Sequence, residues 1–124
     1  MIATDTSSLI AFLQGDEGND VDKIQNVAAG GELIFPPVVL TEILSDPRSA
    51  ALLEKTMPEI ALLDIIDGYW ARAGKARRIL QQHKLKAKIA DALIAQSCID
   101  HDVALITRDT DFRHFAKHCG LKLA

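Results

Sequence analysis

Cysteine is scarce in this chain. Cys98 and Cys119 are its only two; they are far apart and form no CxxC pair, so neither a disulfide framework nor a zinc site is indicated. Long apolar runs are missing too. None reaches the roughly 18 residues of a membrane span, and the N-terminus lacks the basic start and long apolar stretch of a secretory signal. These absences lead us to expect a cytoplasmic protein with reduced core thiols and no membrane association. Linkers, low-complexity segments and internal repeats are also lacking, and 124 residues suffice for one substantial core but not for two. Residues 1–124 are therefore expected to form a single domain.

Hydrophobic residues make up 48% and charged residues 25% of the chain, an ordinary balance that excludes disordered and fibrous classes. The net charge of -3 argues at first against a nucleic-acid partner, because phosphate is bound with Lys and Arg. The local distribution reverses that argument. Arg72, Lys75, Arg77, Arg78, Lys84, Lys86 and Lys88 hold seven of the 14 basic residues with no acid between them. A charge run of this kind is often only a solvated helix face. Here it leads directly into Asp91.

Short apolar strands alternate with helical stretches. Met1–Thr4 reads as a buried strand; Thr6, Ser7 and Ser8 cap a helix over Leu9–Leu13, and Gly15 closes it. Asp20 is placed to cap a second helix that Gly30–Gly31 stops before a strand over Glu32–Phe35. Pro36–Pro37 opens a helix continuing through Val38–Leu44, and a short helix over Ala50–Lys55 ends before Pro58. Ile60–Leu63 supplies a third strand and Asp67 opens a long helix to His83. Ile89–Ile99 is apolar on most faces, as in a buried helix. Val103–Ile106 is a strand, Phe112, Phe115 and Ala116 mark a last helix, and Leu121–Leu123 closes the sheet. Strands separated by helices give a mostly parallel sheet covered on both faces, a three-layer α/β/α domain.

Four acids stand where strands end or helices begin: Asp5, Glu42, Asp91 and Asp109. The carboxyl ends of strands in an open parallel sheet converge on one crevice, so acids after Ile2–Thr4 and after Ala104–Arg108 can become neighbours there. Each has a plain structural reading. Asp5 and Asp109 can cap helices, Glu42 can be a solvated helical acid, and Asp91 can pair with a nearby lysine. Asp91 resists its reading most, because Ile89–Ala95 surrounds it with small and aliphatic residues and a buried unpaired charge is costly. Clustered carboxylates repel one another and are tolerated when a cation sits among them. Oxygen-only ligands favour Mg²⁺ or Mn²⁺ over zinc. If a metal offsets the four acids, 13 acids remain against 14 bases, and the remaining surface is nearly neutral. His114 and His118 have i, i+4 spacing but no HExxH order, and receive no metal role.

The motifs Asp5-Thr6-Ser7, Thr41-Glu42-Ile43-Leu44, Asp91-Ala92-Leu93-Ile94-Ala95 and Thr107-Arg108-Asp109-Thr110-Asp111-Phe112, in this order across nearly the whole chain, resemble those of PIN-domain ribonucleases. The likeness is nearest to the VapC-type toxins of toxin–antitoxin pairs. The resemblance implies a Mg²⁺- or Mn²⁺-dependent endoribonuclease with Asp5, Glu42, Asp91 and Asp109 as its acidic site. Asp111 is the alternative to Asp109, and Ser7 and Thr107 are supporting polar residues. It further implies RNA-phosphate contacts from Arg72, Lys75, Arg78, Lys84, Lys86 and Lys88, a VapB-like antitoxin partner and a homodimer. Leu52 and Leu53 are the apolar residues offered for an interface. Two rival classes make different demands. A non-catalytic RNA- or protein-binding module would not need all four acids, and a phosphoacceptor receiver-like domain would need adjacent acids after its first strand and a lysine after its last.

Overall fold

The computed structural model describes residues 1–124. Its central strand is the first one, β1 (Ile2–Thr4), with β2 (Leu33–Ile34) on one side and β3 (Leu105–Ile106) on the other, all parallel. Ile2 lies against Leu33, and Ala3 against Leu105. Single parallel bridges widen the sheet, from Phe35 to Leu62 at one edge and from Leu105 to Leu123 at the other. The sites expected as strands over Ile60–Leu63 and Leu121–Leu123 thus shrink to one bridge each. At the outer edges no further strand completes a ladder.

Seven helices connect these strands: α1 (Thr6–Leu13), α2 (Asn19–Ala29), α3 (Pro37–Leu44), α4 (Pro47–Thr56), α5 (Tyr69–Gln82), α6 (Ile89–His101) and α7 (Phe112–Cys119). From β1 to β2 and on to Leu62 the chain moves one way across the sheet; from there to β3 and Leu123 it moves back. Right-handed crossovers then put α1 to α4 on one face and α5 to α7 on the other. Within each set the packing agrees, since α1 touches α2, α3 and α4 while α5 touches α6 and α7; between the sets, α3 also meets α6. The three-layer α/β/α arrangement with a parallel sheet is the observed one.

A cluster of 18 buried residues joins the layers, including Leu9, Phe35, Val39, Ile43, Leu80, Ile94, Ala95, Cys98 and Phe115. Leu53 belongs to it at 1% exposure, and Leu52 packs against it from a half-buried position. This corrects their assignment to an exposed interface: α4 turns both leucines inward, onto the core. Helix starts also differ from expectation. α2 begins at Asn19 behind Gly18, with Asp20 in its first turn rather than at the cap. α4 begins at Pro47, with the Asp46 carboxylate accepting the Ser49 N–H at 2.9 Å. α5 starts at Tyr69 because Gly68 takes a left-handed φ of 83° that ends the preceding turn. No helix is long and apolar enough to cross a membrane.

Candidate metal centre at the carboxyl end of the sheet

Strand order reverses at β1, and the crevice between the ends of β1 and β3 is where such a sheet collects ligands. Asp5 follows β1 directly. Its backbone N–H donates to the Ile106 carbonyl at 3.0 Å, which ties it to the end of β3. Its side chain caps α1, accepting the Ser8 N–H on Oδ1 at 2.9 Å. The other oxygen, Oδ2, accepts the Ser7 hydroxyl at 2.8 Å and the Thr107 hydroxyl at 2.5 Å. The capping role and the place in the crevice are therefore compatible. At 2% exposure Asp5 is pushed above the ordinary carboxylate range by burial, and the bonds from Thr107, Ser8 and Ser7 pull the other way.

Thr107 passes the network onward. Its Oγ1 accepts the Asp109 N–H at 3.0 Å, and Asp109 Oδ1 accepts the Asp111 N–H at 2.9 Å. The turn built this way aims two carboxylates at α6. Asp91, Asp109 and Asp111 each bring an oxygen within 4.8 Å of the others, all three half-buried. The sequence offers Asp111 as the alternative to Asp109, and the i, i+2 spacing across this turn brings both to Asp91. Asp91 makes no ion pair, so its pairing with a lysine is not what the fold provides. Its carboxyl is pushed up to about 6 by burial first and then by Asp109, with Asp111 and Glu42 adding to the rise and Lys88 opposing it.

Glu42 reaches the crevice from α3. Thr6 donates to its Oε1 at 2.6 Å, a contact that the sequence showed only as a helix-capping hydroxyl. Asp5 and Glu42 stand outside the three-acid group and border it, one through Thr107 and the other through its charge on Asp91. The donor set fits a hard divalent cation: three carboxylate oxygens close enough to share one ion, no thiol or imidazole among them, and like charges that a cation relieves. Cys98 lies behind the site as a buried thiol, pushed up to about 12 by burial and the Asp5 charge, so it offers no thiolate ligand. His114 and His118 are elsewhere, with His118 stacked on His83 at 4.1 Å between centroids.

The basic segment divides. Arg72 gives Nε and Nη2 to the Asp100 carboxylate at 2.9 and 2.6 Å, and Nη1 to the Asp67 carbonyl at 2.7 Å. Its guanidinium already has its acid, which sets it apart from the other basic residues of the segment. Arg77 donates to the Ala87 carbonyl at 2.8 Å. Lys75, Arg78, Lys84, Lys86 and Lys88 are exposed and without ion pairs. A cavity of about 730 Å³, lined by Phe12, Ala28, Leu33, Met57 and Ile60 among others, includes none of the candidate acids.

The family described as PIN domain matches residues 2–118. Two solved structures share the fold. VapBC2 from Rickettsia felis, bound to a DNA fragment from its promoter, has a TM-score of 0.78 at 18% identity, covering 100% of this chain and 98% of the other. FitAcB from Neisseria gonorrhoeae has a TM-score of 0.70 at 18% identity, covering 99% and 96%.

Proposed function

The chain belongs to the PIN-domain family, and from that premise we propose that it is a Mg²⁺- or Mn²⁺-dependent endoribonuclease, the toxin of a type II toxin–antitoxin pair. The observation that carries the reading is the convergence of Asp91, Asp109 and Asp111 within 4.8 Å. These three would hold the divalent ion, with Asp5 and Glu42 at its border. When bound, such an ion lowers the pKa of water and screens the charge that develops on a phosphodiester under in-line attack.

The chain's own groups do the rest. Thr107 and Ser7 orient Asp5 and favour its ionised form against the effect of burial, and Thr6 holds Glu42 toward the crevice. No covalent protein nucleophile is needed. Lys75, Arg78, Lys84, Lys86 and Lys88 supply the phosphate contacts, so that an RNA strand is drawn to the acids despite the net negative chain. We further propose a cytoplasmic homodimer held in check by a VapB-like antitoxin. The fold shared with the VapBC2 and FitAcB structures supports the antitoxin partner. Expression of the chain alone is expected to arrest growth and Asp5→Ala to relieve it; an equally toxic Asp5→Ala would remove catalysis as the cause.

A further inference from the structure

Between Thr107 and Asp109, whose side chains serve the acids, stands a residue that turns the other way. Arg108 donates through Nε to Asp20 Oδ2 at 2.7 Å and through Nη2 to Asp20 Oδ1 at 3.1 Å. Nη2 also reaches the Glu17 carbonyl at 3.2 Å. A planar guanidinium gripping both oxygens of one carboxylate and a backbone carbonyl defines direction as well as distance. The far side of the grip is firm: Asp20 lies in the first turn of α2, which buries Val21 and Ile24 in the core. Its carboxylate is mostly shielded, and Arg108 holds it down to about 2. Gly18 permits the approach, for a Cβ there would stand 2.5 Å from Asp20 Oδ1 and 3.0 Å from Arg108 Nη2.

The loop that this grip holds has reason to move. Asp109 and Asp111 bring like charge close to Asp91, a repulsion that the short segment between β3 and α7 has to withstand. We propose that Arg108 is a positioning residue which, clamped on Asp20 and Glu17, holds the Thr107–Asp111 loop where its carboxylates can share an ion with Asp91. The proposal rests on the reading of these acids as a metal site. An exposed ion pair commonly contributes little; what distinguishes this one is that it fastens the loop next to two of the three proposed ligands.

The test is Mn²⁺ titration of the intact chain, with free ion read by electron paramagnetic resonance and melting temperature in chelator measured in parallel. Arg108→Ala and Asp20→Asn are each expected to weaken Mn²⁺ binding by about 10-fold or more, as loss of groups that orient ligands does. The double variant should be no weaker than either single one, because both remove the same contact. Arg108→Lys, which keeps the charge but not the fork, should fall between; if Arg108→Ala does not fold, Arg108→Lys decides, and wild-type affinity in it overturns the proposal. Unchanged Mn²⁺ affinity with a lower melting temperature would make the clamp a structural ion pair only. Absence of Mn²⁺ binding by the wild-type chain would instead overturn the metal-site reading, and this proposal with it.

Discussion

Removing the charge of Asp91 should make the metal-free protein more stable. The carboxyl has no ion pair and is held at about 6 instead of 3.8. Keeping it ionised in the folded state therefore costs about 3 kcal/mol at face value. Because the group is only half-buried, water screens part of this, and about 1–2 kcal/mol is the expected cost. The sign follows from proton linkage. With the folded-state pKa raised, the folded protein binds the proton more tightly than the unfolded chain, so the stability that protonation gives is fully present below pH 3.8 and lost as pH rises through about 6, where the cost of the charge takes its place. At pH 7.5 with chelator, Asp91→Asn should melt about 3–8 °C above wild type, and the gap should close on acidification toward pH 4. Divalent ion reverses the order: at 100 times its dissociation constant it adds about 2.7 kcal/mol to wild type and much less to the variant. Melting curves over pH with and without Mn²⁺ check both halves. An Asp91→Asn protein that melts at or below wild type in chelator at pH 7.5 would refute the claim that like charges confront one another at this site.

Other perturbations separate the parts of the site. Thr107→Val leaves the Asp109 N–H without its acceptor and Asp5 without one of its donors, and urea unfolding should show a loss of about 1–3 kcal/mol. Joint replacement of Lys84, Lys86 and Lys88 by alanine, in an Asp91→Asn background that cannot cut, should weaken binding of single-stranded RNA and lower the salt slope of log K by about 2. Arg72→Ala should leave that slope unchanged and lower the melting temperature slightly, since its partner is Asp100 and not phosphate.

Periodicity and punctuation made the alternation of strands and helices legible, and with it a mostly parallel sheet covered on both faces; the strand order was not legible. The acids at strand ends were legible for the same reason: a parallel sheet brings distant carboxyl ends to one crevice. What escaped depends on long-range contact. Whether Ile60–Leu63 forms a ladder or one bridge is set by its neighbour in space, which the local pattern does not encode. Leu52 and Leu53 read as surface residues until α4 is placed against α1. Arg72 could not be told from its basic neighbours, because Asp100 lies 28 residues away. The Arg108 grip spans 88 residues, and no local pattern announces it; nor did the Asp109-x-Asp111 spacing declare that both carboxylates face Asp91.

The most direct test of the central claim is to incubate the purified chain, freed of any partner, with total cellular RNA, with and without Mn²⁺, beside Asp91→Asn, and to map the new ends. Discrete internal cuts that require both the metal and Asp91 are the predicted result. Intact RNA in the presence of a wild-type chain that binds Mn²⁺ would contradict it and leave a binding module in place of a nuclease.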